Sequence, residues 1–142
     1  MDSLRLSRIL GLDYGERRIG LALSDPLGII AKPLTVIDIK KTKDYFSEIL
    51  KIINNNDVSS VVVGLPLTLK GKNSKQTEIV ISFIDQLKNK IHLPIMTIDE
   101  RLSSLAAEKS LIDQGIKTGH NKALIDQTAA AIFLQEHLDS SI

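Results

Sequence analysis

Apolar and polar positions alternate in the first part of the chain and change to a helical spacing further on. Ser7–Tyr14 and Arg18–Ser24 read as two strands, and the short Gly15-Glu16-Arg17 turn between them makes a β-hairpin. Gly28–Ile37 is a third strand, and Pro33 inside it marks a sheet edge. Over Thr42–Asn54 the period becomes helical, with Tyr45, Phe46, Ile49, Leu50 and Ile53 on one stripe. The Asn54-Asn55-Asn56-Asp57 cluster ends that helix. Val58–Leu65 is apolar on both faces, the pattern of a central strand covered from both sides. A loop from Pro66 to Ser74 leads into a helix over Ser74–Asn89 that buries Ile79, Val80, Phe83, Ile84 and Leu87. Pro94–Asp99 is a short strand. Leu102–Gln114 is a helix capped by Ser103 or a neighbour and stopped by Gly115, and Lys122–Leu138 is the last helix. Strands first, then strand and helix in alternation, predict an α/β domain: a mixed sheet with helices on both faces.

Composition narrows this picture. The chain has 142 residues, the length of one domain, and such a domain buries a full core without disulfides or structural zinc. It has no cysteine, which excludes a thiolate nucleophile and a Cys-type metal site. Isoleucine and leucine number 20 each against 5 aromatic residues, so an extended aromatic platform for stacking bases is not expected. The start of the chain lacks the long apolar stretch of a signal peptide. No apolar run approaches the roughly 20 residues of a membrane helix. A cytoplasmic protein with no membrane partner is expected. Lysine plus arginine total 18 and aspartate plus glutamate 17, and that balance carries no bulk signature of nucleic-acid binding.

The candidate chemistry lies in three acidic positions on separate elements. Asp13 shares a strand face with Ile9 and Gly11, and an acid there is costly unless a cation or water meets it. On the next strand Gly20, Ala22 and Ser24 share a face, and if register sets them beside Asp13 they leave that patch open for a metal or phosphate. Asp13 alone reads equally well as a turn cap bonded to the Gly15 or Glu16 amide. The Asp99-Glu100 pair ends a strand, where α/β sheets face their binding crevice. Adjacent residues point to opposite faces. Asp99 suits an N-cap, which leaves Glu100 for chemistry. Asp126 lies in the first turns of an otherwise apolar helix, where an acid also serves the helix dipole. The alanines at 129–131 let that helix approach the sheet closely. Three converging carboxylates would repel one another unless divalent ions bridge them, and hard oxygen ligands suit Mg²⁺ or Mn²⁺. Two such ions activate a water and stabilise the leaving oxygen of a phosphodiester. No base histidine is then needed, and His92, His120 and His137 form no motif.

These residues resemble a known family. Gly11-Leu12-Asp13-Tyr14-Gly15 with Arg17-Arg18-Ile19-Gly20-Leu21-Ala22 is similar to the opening motif of the YqgF/RuvX family. Those proteins are RNase H-like and are described as Holliday-junction resolvases and as pre-16S rRNA nucleases. Val62-Val63-Gly64-Leu65-Pro66 with Gly71, Asp99-Glu100-Arg101-Leu102-Ser103-Ser104, and Asn121-Lys122 with Asp126-Gln127-Thr128-Ala129-Ala130 resemble its later motifs, in order, over nearly the whole chain. The resemblance implies an RNase H-like fold: a five-stranded mixed sheet, its first three strands antiparallel, flanked by helices. It carries over Asp13, Glu100 and Asp126 as the catalytic, metal-holding triad. In related resolvases the middle acid sits on an earlier strand, near Gly64-Leu65-Pro66 here, which has no carboxylate. The middle ligand is therefore Glu100 or Asp99.

Basic residues adjoin these motifs. Lys70, Lys72 and Lys75 flank Gly71, Lys117, His120 and Lys122 precede Asp126, Arg17 and Arg18 sit in the hairpin, and Arg101 follows Glu100. Any single lysine is more often a solvated surface charge than a contact. The arginines match phosphate oxygens with their forked donors. Arg17, Arg18, Lys70, Lys72, Lys75, Arg101 and Lys122 are the candidate contacts to nucleic acid. The expected activity is metal-dependent endo- or exonucleolytic hydrolysis of structured nucleic acid, in processing the 5′ end of pre-16S rRNA. The alternatives are resolution of branched DNA, which favours a homodimer over a monomer, and a noncatalytic RNA-binding assembly factor. The Leu12-Asp13-Tyr14-Gly15 hairpin also resembles the phosphate loop of actin-like ATPases, but Glu16-Arg17-Arg18 lacks the small residues that cradle a phosphate.

Overall fold

The computed structural model describes residues 7–68, 70–100, 103–116 and 121–140. Strands β1 (Arg8–Tyr14), β2 (Arg18–Ser24) and β3 (Ala31–Asp38) come first, followed by helix α1 (Tyr45–Asn55), strand β4 (Val58–Leu65) and helix α2 (Lys75–Lys88). Strand β5 (Ile95–Asp99) and helices α3 (Ser103–Asp113) and α4 (Lys122–Ser140) complete the chain. The five strands form one sheet in the order β3-β2-β1-β4-β5. The first three pair antiparallel, and β4 and β5 join parallel to β1. β3 is an edge, as Pro33 foretells.

Alternation along the strands divides the side chains between two cores. Leu10 and Leu12 of β1, Ile19 and Leu21 of β2, and Val61 and Val63 of β4 face α1 and α2, where they meet Ile49, Ile53, Val80, Phe83 and Leu87. The opposite parity of the same strands, Ala22 and Val62, faces α4 and meets Ala130, Phe133, Leu134 and Leu138. β4 is thus covered on both sides, which is why its sequence is apolar at every position from Val61 to Val63. Four of the five aromatic residues gather in the first core. The Phe83 ring lies 4.2 Å from that of Tyr14 and 5.5 Å from that of Phe46, centroid to centroid.

Three local structures correct the pattern reading. β3 begins at Ala31 rather than Gly28 because Asp25 ties up the preceding residues. Its carboxylate accepts from the backbone amides of Leu27 at 3.2 Å, Ile29 at 2.7 Å and Ile30 at 2.8 Å, and Gly28 takes φ +70°. Gln135 of α4 then holds the end of the turn, donating to the Ile29 carbonyl and accepting from the Ala31 amide, both at 2.8 Å. Helix α1 starts late, at Tyr45, because Asp44 caps it by accepting from the Ser47 amide. In α2 the buried first-turn residue is Thr77, while Ile79 is 40% exposed. Ser74 and Thr77 form a reciprocal capping box, and Thr77 also donates to the Pro66 carbonyl. That bond turns Thr77 towards the sheet and Ile79 outward.

Candidate active site

Strand geometry brings the first acid to the α4 face. Register pairs Asp13 with Gly20 and Gly11 with Ala22, so the small face of β2 does lie beside Asp13. The space above it is not open. A Cβ on Gly20 would fall on the backbone carbonyl of Asp126 and 2.9 Å from the Gln127 amide nitrogen. One on Gly11 would stand 3.2 Å from Leu134 Cβ. The glycines therefore admit the backbone of α4, not a ligand, and the close approach delivers Asp126 to this end of the sheet.

The second acid arrives from the far side of β4. Leu65 and Asp99 are register partners at the end of the β4–β5 ladder, and the Glu100 amide donates to the Leu65 carbonyl at 3.2 Å. Glu100 therefore follows Ile98 in parity, onto the α4 face, while Asp99 takes the other face and is exposed. Glu100 and Asp13 are both buried, and their carboxyl groups hydrogen-bond to each other. Among the described residues Glu100 Oε2 is buried with no hydrogen-bond partner.

The electrostatics follow from this pairing. Burial, more than any other cause, pushes Asp13 up to about 6, and the nearby Asp126 charge adds to it, while the bond from Glu100 opposes it. Burial and then the Asp13 charge push Glu100 up to about 9. Both shifts run upward, so the pair holds a proton more tightly than two separate carboxyls would. Burial also raises Asp126, against the opposing charges of Arg18 and Lys122.

An acid pair of this kind fits a cation. A buried carboxyl oxygen lacks a partner, its neighbour is a second buried carboxyl, and the third acid bears on both through its charge. Asp13 and Glu100 make the contact, and Asp126 is more exposed than either. Among the described residues no group of three His, Cys, Asp or Glu side chains is gathered to hold one metal ion. The expected triad therefore resolves into a touching pair and a third acid beside it.

Two hollows flank the β1–β2 turn, and Gly15 and Glu16 line both. One, of about 350 Å³, is bounded by Arg17, Arg18, Lys122, Ile125 and Asp126. The other, of about 570 Å³, is bounded by Tyr14, Ser74, Lys75, Gln76 and Ile79. Arg18 and Lys122 thus stand near Asp126, while Lys75 lines the hollow on the α2 side of the turn. Lys70 and Lys72 sit on the turn around Gly71 and line neither hollow. Arg17 is partly committed elsewhere: its Nε lies 3.1 Å from Asp38 Oδ1, which ties the turn to the end of β3. Arg101, Lys117 and His120 lie outside the described residues.

Sequence reasoning noted Gly64 only for its missing carboxylate. A Cβ there would stand 2.8 Å from Glu100 Oε2, 2.9 Å from Glu100 Cδ and 2.6 Å from Phe133 Cε2. A lone glycine in a run of β-branched residues is the signal that something approaches closely.

Known proteins resemble this chain throughout its length. The family described as "RuvX: Holliday junction resolvase" matches residues 7–140. A protein of Roseiflexus sp. (strain RS-1) named "Putative pre-16S rRNA nuclease" is 46% identical over 133 residues, 94% of each chain. One of the same name from Desulforamulus reducens is 46% identical over 133 residues, 94% of this chain and 97% of that one. Among solved structures, T. thermophilus RuvC in complex with a Holliday junction substrate superposes with a TM-score of 0.58 at 16% identity, covering 95% of each chain. Fowlpox virus resolvase with its Holliday junction DNA gives 0.56 at 14% identity, covering 95% of this chain and 99% of that one. The fold is the RNase H-like one.

Proposed function

This chain belongs to the RuvX family, and on that premise we propose that it is a nuclease that hydrolyses phosphodiester bonds of structured nucleic acid, in processing the 5′ end of pre-16S rRNA. The observation that carries the reading is the buried Asp13–Glu100 pair, straddling a strand and, among the described residues, with one carboxyl oxygen left without a hydrogen-bond partner. Such a pair costs stability and has no packing purpose, so its presence points to chemistry.

Asp13 and Glu100 would hold Mg²⁺ or Mn²⁺, with Asp126 beside them for a second ion. The metal would supply the positive charge that activates a water and stabilises the leaving oxygen. The chain's own side chains do the rest. Arg18 and Lys122 present positive charge beside Asp126, and Lys75 does so in the hollow across the β1–β2 turn, where they hold phosphates in place without reading sequence. The β1–β2 turn stands between these charges, so a strand bound in both hollows bends over Gly15 and Glu16. A kinked or branched substrate takes that path more readily than a straight duplex. The cell compartment that suits the reading is the cytoplasm.

The family's description favours a second substrate, branched DNA, cut by the same chemistry. A four-way junction needs two symmetric cuts and hence a homodimer; rRNA trimming needs only a monomer. Purified protein with Mg²⁺ or Mn²⁺, offered a pre-16S 5′ leader and a four-way junction in parallel, tests both. Cleavage of the leader is expected. Cleavage of the junction alone transfers the assignment to recombination. Cleavage of neither leaves a noncatalytic assembly role.

A further inference from the structure

The two paired acids do not come from neighbouring strands. Asp13 ends β1 and Glu100 follows β5, and β4 runs between them. Adjacent strands are spaced by about 4.8 Å, so the backbones of β1 and β5 are roughly 10 Å apart. For the carboxyls to meet, one side chain must cross above β4. Glu100 makes that crossing, and the residue under it is Gly64.

We propose that Gly64 is a positioning residue of the active site: its missing side chain is the passage through which Glu100 reaches Asp13. The inference rests on the metal-nuclease reading for its consequence, not for its geometry. On the α4 face the strand positions beside this passage are filled. Val62, two residues earlier with the same parity, is fully buried against α4. Gly64 alone on that face of β4 leaves room, and the room has two walls: the Glu100 carboxyl and the edge of the Phe133 ring. Any side chain at 64 meets both. The ring edge belongs to an apolar side chain that can turn. The carboxyl has a single useful position, because a glutamate pushed off β4 no longer spans the distance to Asp13.

Gly64→Ala separates the two walls. A crystal structure of the metal-free variant should show the Glu100 carboxyl moved away from Asp13. Its Mn²⁺ affinity, measured by calorimetry, should fall by about 10–100-fold, the usual loss when a residue that orients a metal ligand is changed. Adding Phe133→Leu relieves the apolar clash and should restore none of the affinity. Replacing the acid from below is the stronger test. Gly64→Asp combined with Glu100→Ala puts a carboxylate at the same place from β4, and the vacated volume lets the Phe133 edge turn aside. This double variant should bind Mn²⁺ more tightly than Glu100→Ala alone and recover part of its cleavage. Gly64→Ala with Glu100 still on Asp13, or with wild-type Mn²⁺ affinity, overturns the inference. So does full recovery through Phe133→Leu. If the wild-type chain binds no Mn²⁺ and cuts nothing, the nuclease reading fails, and the metal-free structure still decides the role of Gly64.

Discussion

The backbone carbonyl of Asp126 occupies the place that a Cβ on Gly20 would take. The contact is between backbone and backbone, so no side-chain rotation relieves it. It sets how far down α4 sits on β2, and with that the height of the Asp126 carboxylate above the sheet.

Gly20→Ala is therefore expected to lift the start of α4. The stability loss should be about 1–3 kcal/mol, the range for overpacking a well-filled site, read from denaturant midpoints. Cleavage should fall further than stability, because the lifted residue is a candidate ligand. Gly28→Ala is the control: its surroundings are empty within 4 Å, so it feels only its positive φ and should leave cleavage intact.

Asp13→Asn should keep the fold and lose cleavage by at least about 100-fold, the scale of removing one preorganised charged group from a reacting centre. The same substitution should stabilise the metal-free protein at pH 8. Asp13 and Glu100 are both raised above their unfolded values. In the native state they hold protons that the unfolded chain has already released, so their contribution is fully present below about pH 4 and is lost as pH rises. For Asp13 the loss runs up to about 6, and for Glu100 up to about 9. The melting temperature in EDTA should accordingly fall from pH 5 to pH 9. The increment that Mn²⁺ adds should grow over the same range, since the ion replaces the protons. A flat difference between the two curves would count against metal binding at this pair.

Arg17 and Arg18 are adjacent and should behave differently. Arg18 lines the hollow beside Asp126 and bears on that carboxylate through its charge. Arg18→Ala should weaken RNA or DNA binding and reduce the slope of log affinity against log salt by about 1. Arg17 is engaged by Asp38, which its guanidinium holds below the usual carboxylate range. Arg17→Ala should change that slope little. Fluorescence anisotropy over a salt series distinguishes them.

Asp25→Ala should loosen the β2–β3 turn. Three backbone amides lose their acceptor, and hydrogen exchange at Leu27, Ile29 and Ile30 should quicken while the strands stay protected. The wild-type turn should loosen likewise as pH falls through the lowered Asp25 value, since its stabilisation is present only while the carboxylate is ionised.

Much of this was readable from pattern. The β-hairpin, the doubly covered β4 and the apolar stripe of α1 follow from period and parity alone. Asp13, Glu100 and Asp126 come as a set from the family resemblance, with Asp99 as the alternative to Glu100, and the parity argument that sent Glu100 and Asp99 to opposite faces agrees with the ladder. Pattern reading failed where a side chain bonds backbone out of sequence. Asp25 delays β3, and Thr77 displaces Ile79 from the core, and neither event leaves a periodic trace. It also failed for empty space. Gly20 read as room for a ligand and holds a helix; Gly64 read as a missing acid and admits one. A glycine announces a close approach without naming what comes, because the visitor belongs to a distant part of the chain.

The strand that parts the two acids also decides when they can meet. β1 and its hairpin are synthesised before β4 and β5. β5 can enter the sheet only along β4, and α4, which closes on Gly20, emerges after it. Contacts between such distant segments are the slow ones to form. A chain still leaving the ribosome therefore has one buried acid at this end of the sheet and no partner for it. β1 alone brings one of the three candidate acids, so whatever chemistry they share has to wait until β5 and α4 have joined the sheet.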